Sequence, residues 1–160
     1  MARDLEEARQ TRRSPSARLT ICSLPVLGAD CPLFVYNRPM LATGTGTELS
    51  PIDIDLTGLT LVIVKPPVSV PTAQAYSRVT PAVPVEPIPE ILQSPLTEWQ
   101  GRLKNDFEPS VFPLHPMIAE IKARLLAMGA SYASMSGSGS SVFGLFASDI
   151  LGCQTFTATL

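Results

Sequence analysis

Residues 115–147, HPMIAEIKARLLAMGASYASMSGSGSSVFGLFA, predict one helix and two strands, with a glycine- and serine-rich loop between the strands. Pro116 suits the first turn of the helix, and Gly129 suits the position just after its end. The runs SYASM and SVFGLFA are typical of strands. Together these elements predict the α+β fold class. The apolar face of the helix consists of residues at helical spacing, namely Met117, Ile118, Ile121, Leu125 and Met128.

Four further segments predict strands. LTLVIV, residues 59–64, is a continuous apolar run that ends before two prolines, which predicts a central strand covered on both faces. PLFVY, residues 32–36, predicts a short buried strand. RPMLATGTGTEL, residues 38–49, predicts a strand or a hairpin whose glycines allow close backbone approach. CQTFTATL, residues 153–160, alternates like a terminal strand.

Residues 65–116 contain eleven of the sixteen prolines of the chain. Each proline removes a backbone donor, so this stretch cannot form a long regular element. Short helical turns are predicted within it, in TAQAYSRV (72–79) and PIPEILQ (87–93). A flexible linker is the alternative, but the apolar residues between the prolines favour an ordered segment that packs on the surface.

The composition excludes several classes of protein. The 160 residues carry a net charge of −2 and fit one domain, or one domain plus a fragment of another. Since no basic stripe interleaved with aromatic residues occurs, nucleic acid is not an expected partner. No apolar run reaches 18 residues, so no membrane span is predicted. The three cysteines form no C-x-x-C pair, which favours reduced thiols in a cytoplasmic protein over a disulfide framework or a zinc site.

Common catalytic motifs are absent from the sequence. The single histidine, His115, lies at a helix start, where packing or capping is the expected role, and one histidine without a cysteine pair predicts no metal cluster. SGSGSS does not match the nucleophile elbow of serine hydrolases. No Gly-Lys dipeptide occurs, so there is no Walker A loop, and no G-x-G-x-x-G motif predicts a dinucleotide site.

Two features keep a possible chemical role. Asp30, in LGADCPLFV, is either a turn or cap aspartate or a carboxylate that accepts a proton from a substrate hydroxyl. The loop in MSGSGSSVF is either a tight turn or a concavity of backbone N–H groups that binds an anion. The strand-forming runs on both sides of the loop favour the concavity over a linker.

Four segments, in this order and at these spacings, resemble the GHMP kinase superfamily. The resemblance covers about residues 27–160. The segments are LGADCPLFVYNRPMLATGTGTEL (27–49), VKPPVSVPTAQAY (64–76), KNDFEPSVFPLHPMI (104–118) and GASYASMSGSGSSVFGLF (129–146).

The resemblance implies transfer of the γ-phosphate of ATP, with Mg²⁺, to a hydroxyl of a CDP-linked methylerythritol in the non-mevalonate route to isoprenoid precursors. Asp30 inherits the role of catalytic base, which agrees with the carboxylate that kinases place at the attacking hydroxyl. The implied partners are these two small molecules. The implied substrate-binding residues are Thr72 at the methylerythritol, Tyr76 at the cytosine, Asn105 facing the cleft, and the loop residues Gly137, Ser138, Gly139 and Ser140.

The resemblance also implies a domain organisation. Family members have two α+β domains with the active site in the cleft between them. Residues 59–160 correspond to the C-terminal domain, a ferredoxin-like two-layer sheet with helices. Residues 21–58 correspond to a strand remnant of the N-terminal domain, and residues 1–20 to a poorly ordered leader outside the family pattern.

The glycine-rich loop with which the family holds ATP phosphates is not found upstream of Leu27. This chain is therefore expected to be a fragment that is inactive alone. The alternative function is a non-catalytic α+β module that binds a small ligand with the same glycine-serine loop.

Overall fold

The computed structural model describes residues 31–80 and 82–147, apart from the side chains of Cys31, Pro32 and Phe34. The chain divides into two compact units, with Ile54 in the first and Asp55 in the second. In the part of the chain that the structure describes, no helix is long and apolar enough to cross a membrane. The predicted terminal strand at residues 153–160 and Asp30, which is predicted as the catalytic base, lie outside the described residues.

The first unit contains helix α1 (Cys31–Tyr36) and a hairpin of strands β1 (Met40–Thr43) and β2 (Glu48–Pro51). The predicted hairpin is confirmed, but the strand predicted at residues 32–36 is wrong. Periodicity cannot distinguish helix from strand in so short an apolar run. The helix ends because Asn37 adopts a φ of 46° and donates its N–H to the carbonyl of Leu33 at 3.1 Å.

The second unit contains a three-stranded antiparallel sheet and several helices. The strands are β3 (Leu59–Val64), β4 (Tyr132–Met135) and β5 (Val142–Ala147), in the order β3-β5-β4. The mixture of helices and antiparallel sheets confirms the predicted α+β class. The helices are α2 (Thr72–Tyr76), α3 (Ile88–Gln93), a 3-10 helix (Leu96–Glu98), α4 (Glu108–Val111) and α5 (Pro116–Ala127).

Among the described strands, β3 lies at one end of this sheet and has an exposed face, so the expected coverage on both faces is wrong. Leu61 and Ile63 are 55% and 64% exposed, while Val62 and Val64 pack against the core. The central strand is β5, which pairs with β3 on one side and β4 on the other. A continuous apolar run indicates that a segment can form a strand. The order of the strands in the sheet depends on which distant segments pair.

The core of the second unit forms where α5 packs against β4 and β5. Ile118 and Leu125 of the predicted apolar face are buried, whereas Met117 and Met128, at the ends of that face, are exposed. Gly144 lets the helix approach the sheet, since a Cβ atom at this position would lie 3.4 Å from Cβ of Leu125. The core thus depends on a small residue in the central strand as well as on the apolar helix face.

The short helical turns predicted in the proline-rich stretch are present as α2 and α3, although Val83 and Val85 between them are exposed rather than packed. Trp99 is 5% exposed and donates its indole N–H to the carbonyl of Ser94 at 3.0 Å. Arg102 forms a two-pronged ion pair with Glu86, and this contact holds the pKa of the Glu86 carboxyl below its usual range. Arg102 also donates to Glu98 at 3.0 Å. These polar contacts fix a segment that has few regular backbone hydrogen bonds.

The outer edge of β4 is covered by side chains. The backbone N–H of Ala133 donates to Oε1 of Gln100 at 3.0 Å, and that of Met135 donates to Oε1 of Glu108 at 2.9 Å. Free edge groups are a template for unwanted strand pairing, so these two contacts protect the sheet from aggregation at this edge.

Tyr132 makes the stability of the second unit depend on pH in the alkaline range. Its ring is 4% exposed and its hydroxyl donates to the carbonyl of Leu103 at 3.2 Å. Burial raises the pKa of the Tyr132 phenol above its ordinary value. Because the folded pKa is the higher one, the associated stability is present below about pH 10 and is lost as the pH rises through the folded pKa.

We therefore expect the stability difference between the wild-type chain and Tyr132→Phe to shrink between pH 8 and pH 11. Near pH 8 the wild type should be more stable by about 0.5–1.5 kcal/mol, the net value of one hydrogen bond. Urea unfolding followed by Trp99 fluorescence measures both proteins at both pH values. Equal differences at the two pH values would contradict the assignment.

Candidate functional site

The glycine-serine loop, residues 136–141, connects β4 to β5 and is closed by its own backbone. Ser136 donates its N–H to the carbonyl of Ser141 at 2.8 Å, and Gly139 donates to the carbonyl of Ser136 at 3.0 Å. Gly137 and Gly139 have φ values of 54° and 94°, which side chains strongly disfavour. A Cβ atom at Gly139 would also lie 2.9 Å from Sδ of Met135. Both glycines are therefore required by the shape of the loop.

The end of the loop is tied to the segment that follows β3. Ser140 is 1% exposed, and its hydroxyl donates to the carbonyl of Val68 at 2.5 Å. The same hydroxyl accepts a hydrogen bond from Nζ of Lys65 at 2.5 Å. Since the hydroxyl proton of Ser140 is already donated within the protein, this serine anchors the loop.

The start of the loop is tied to the turn at residues 105–108. Nδ2 of Asn105 donates to the carbonyls of Met135 and Gly137 at 2.7 and 2.9 Å. Glu108 accepts the N–H of Met135 and pairs with Nζ of Lys122 at 2.5 Å. The Glu108 and Lys122 side chains are only 12% and 19% exposed. A largely buried ion pair thus supports the strand end from which the loop begins.

Some donors of the loop remain open to a ligand. Among residues 31–80 and 82–147, none accepts a hydrogen bond from the N–H groups of Gly137 and Ser138 or from the Ser138 hydroxyl. Lys65 is an exposed residue whose ammonium carries two further N–H groups besides the one directed at Ser140. Open backbone N–H groups in a glycine-rich loop that also contacts a cation suit a bound anion.

An exposed aromatic side chain lies on the other side of the same turn. Tyr76, at the end of α2, is 62% exposed, and its ring meets the Phe107 ring edge-on with 4.8 Å between centroids. Phe107 in turn donates its N–H to Oδ1 of Asn105 at 2.9 Å. Thr72, the first residue of α2, is exposed. The turn at residues 105–108 therefore contacts both the loop and the aromatic ring.

A comparison with protein families identifies this part of the chain. Residues 88–150 match the family model of the GHMP kinases C terminal. These residues belong to the GHMP kinase C-terminal family. The match contains the Asn105 turn, the helix α5 and the glycine-serine loop, so the family assignment suggested by the sequence motifs is confirmed.

Two curated relatives of this chain are named as the same kinase. The chain is 56% identical over 120 residues to 4-diphosphocytidyl-2-C-methyl-D-erythritol kinase of Parabacteroides distasonis, covering 75% of this chain and 44% of the relative. It is 52% identical over 121 residues to the kinase of that name from Bacteroides fragilis, covering 76% of this chain and 44% of the relative. The chain thus spans less than half the length of the curated relatives it matches.

A solved structure agrees with the sequence matches. The crystal structure of 4-(cytidine 5'-diphospho)-2C-methyl-D-erythritol kinase is 32% identical to the chain and superposes with a TM-score of 0.67. The superposition covers 79% of this chain and 47% of that kinase. The structural similarity therefore extends beyond the residues matched by the family model.

The structure brings most of the predicted site residues of the GHMP kinase domain together. Asn105 contacts Gly137 directly, and Tyr76 is connected to Asn105 through Phe107. Asp30 cannot be placed, since it lies outside the described residues. Lys65 and Glu108 were not predicted as site residues. Both lie inside the motifs VKPP and NDFE, but their contacts with the loop span 75 and 27 positions of sequence, which no local pattern reveals.

Proposed function

We propose that the protein to which this chain belongs transfers the γ-phosphate of ATP to a hydroxyl of 4-diphosphocytidyl-2-C-methyl-D-erythritol, for isoprenoid precursor synthesis. The observation that carries this proposal is the 52–56% identity to relatives that bear the name of this kinase. The GHMP family model and the solved kinase structure support it. A cytoplasmic location is part of the proposal, because the cysteine pattern favours reduced thiols, which are typical of that compartment.

In this proposal Asp30 accepts the proton of the attacking substrate hydroxyl, a role that comes from the resemblance alone. A bond forms between the substrate oxygen and the γ-phosphorus as the bond from that phosphorus to the ADP oxygen breaks. The protein contributes mainly by positioning the reactants and by stabilising the charge on the transferred group.

The glycine-serine loop is proposed to stabilise that charge. The open donors include the N–H groups of Gly137 and Ser138 and the Ser138 hydroxyl, and the Lys65 ammonium contacts the same loop at Ser140. Ser140 and Gly139 hold the loop in shape through their own hydrogen bonds. In this proposal Gly137 and Ser138 contact the transferred group, while Gly139 and the Ser140 hydroxyl support the loop.

ATP and Mg²⁺ are proposed as the phosphate donor and its metal, in keeping with the GHMP kinase family. Within the described parts of the chain, no group of three or more His, Cys, Asp and Glu side chains could hold a metal ion. Mg²⁺ often binds through one or two carboxylates together with the nucleotide phosphates. These residues thus provide no protein-only site for the ion.

Tyr76 is proposed to stack on the cytosine ring and Thr72 to contact the methylerythritol. The Tyr76 ring is largely exposed, and its edge-on contact with Phe107 restricts its motion. A base stacked on an aromatic side chain contributes about 1–3 kcal/mol to binding. The flat surface needed for a pyrimidine is therefore available at the end of α2.

Binding of the CDP-linked alcohol tests this proposal. We expect isothermal titration calorimetry to show binding to the wild-type chain, and Tyr76→Ala to weaken it by about tenfold or more. Tyr76→Phe is the matched control, because it keeps the ring and should bind nearly as well as the wild type. Equal affinities for all three proteins would exclude stacking at Tyr76.

The same titrations separate the kinase from a non-catalytic ligand-binding module. The module would bind unrelated small ligands and would not bind the CDP-linked alcohol. ATP is titrated in parallel, because the binding of the nucleotide and the binding of the alcohol substrate can be measured separately. Failure of the CDP-linked alcohol to bind, with Trp99 fluorescence showing a folded chain, would overturn the proposed contacts of Tyr76 and Thr72 with this substrate.

A further inference from the structure

We propose that Asn105 is a positioning residue, which orients the Ser138 N–H toward the bound anion and does not itself contact the ligand. Only the identity of the anion rests on the proposed function, because the orientation of the Ser138 N–H follows from the hydrogen bonds between Asn105 and the loop. Both N–H groups of the Asn105 amide are in use, at the carbonyls of Met135 and Gly137, and Oδ1 accepts the Phe107 N–H. An asparagine side chain has only two donors, so none remains for a substrate.

The contact with Gly137 determines where a neighbouring donor points. The carbonyl of Gly137 and the N–H of Ser138 belong to one peptide group, and in a planar trans peptide these two groups point in opposite directions. Holding the carbonyl at 2.9 Å from Nδ2 of Asn105 therefore directs the Ser138 N–H away from Asn105. If this peptide group turned over, a carbonyl oxygen would replace the donor and would repel an anion.

The loop needs this restraint because its own backbone does not supply it. Gly137 has a φ of 54° and an unobstructed Cβ position, so sterics alone hold the following peptide group weakly. The side-chain oxygen Oδ1 of Asn105 accepts the N–H of Phe107. Phe107 precedes Glu108, which forms the ion pair with Lys122. The restraint on the loop is thus connected to a rigid part of the domain.

The test compares the wild-type chain with Asn105→Asp in NMR experiments. The aspartate keeps the acceptor for Phe107 but loses both donors. We expect relaxation dispersion to show microsecond-to-millisecond exchange at Gly137 and Ser138 in the variant and none in the wild type. Titration with inorganic phosphate should then show affinity weakened by about tenfold or more, since hydrogen bonds to charged groups are among the stronger ones. Gln74→Glu, which adds the same charge at an exposed position, should change neither quantity.

Different outcomes separate this inference from its alternatives. Weaker phosphate binding with no exchange at Gly137 and Ser138 would show that Asn105 does not act through the orientation of the peptide group, and would overturn the inference. Unchanged exchange and unchanged affinity would overturn it as well. Exchange in Asn105→Asp, with no phosphate binding even by the wild type, would remove the proposed anion site and keep the role of Asn105 in orienting the peptide group. Asn105→Ala provides the same comparison if Asn105→Asp does not fold, as judged by Trp99 fluorescence.

Discussion

Replacing Glu108 with alanine is expected to lower the free energy of unfolding by about 3–5 kcal/mol, the usual cost of removing one partner of a buried ion pair. The Lys122 ammonium, whose side chain is 19% exposed, would remain without its partner. The Met135 N–H would also lose its acceptor. Urea unfolding followed by Trp99 fluorescence measures the change, because Trp99 is the single tryptophan and is buried in the same unit.

Two variants test the cause of this loss. Glu98→Ala removes an ion pair with Arg102 whose glutamate is 56% exposed, so it should cost at most about 1 kcal/mol. Glu108→Ala/Lys122→Met removes both charges while keeping an apolar side chain at position 122, and should be more stable than Glu108→Ala alone. If the double variant were less stable than the single one, the unpaired lysine could not be the source of the loss.

Replacing Phe146 with alanine is expected to destabilise the second unit by about 3–5 kcal/mol, the usual cost for a buried phenylalanine. Phe146 is fully buried in the central strand β5 and belongs to the same core cluster as Ile118 and Val111. The cavity left by the ring would lie between the sheet and the helices, where neighbouring side chains are already packed.

Ile63→Ala is the matched control for Phe146→Ala. Ile63 lies in the adjacent strand of the same sheet but is 64% exposed, so its truncation should change stability by about 0.5 kcal/mol or less. The same unfolding measurement serves both variants. A large loss for Ile63→Ala would mean that the exposed face of β3 is covered in solution.

Helix α5 and the strands on either side of the loop could be predicted because their signals are local. Pro116, the spacing of Ile118 and Leu125, and Gly129 act within a few residues of each other, and the structure has the helix at Pro116–Ala127. The α+β class followed from the order of such elements. A strand or a hairpin was predicted at residues 38–49, and the structure has a hairpin there that extends to Pro51. Its turn and both strands lie within one short segment.

The errors concern features that local sequence does not specify. PLFVY is apolar enough for a strand, but Asn37 ends a helix there, and the apolar residues alone could not distinguish the two. LTLVIV was expected at the centre of the sheet, yet among the described strands β5 is the one that pairs with both others. Strand order is decided by which distant segments pair, and this information is distributed over the whole domain.

The sequence by itself determined that the chain has a glycine-serine loop between two strands and which residues surround it in the motifs. Only the tertiary structure decided what each of them does. It ties Ser140 to Lys65 and Val68, leaves Ser138 open, and turns the Asn105 amide onto the loop backbone. The physical reason is that a side-chain role depends on which donors and acceptors it meets, and these partners lie up to 75 positions away in the chain.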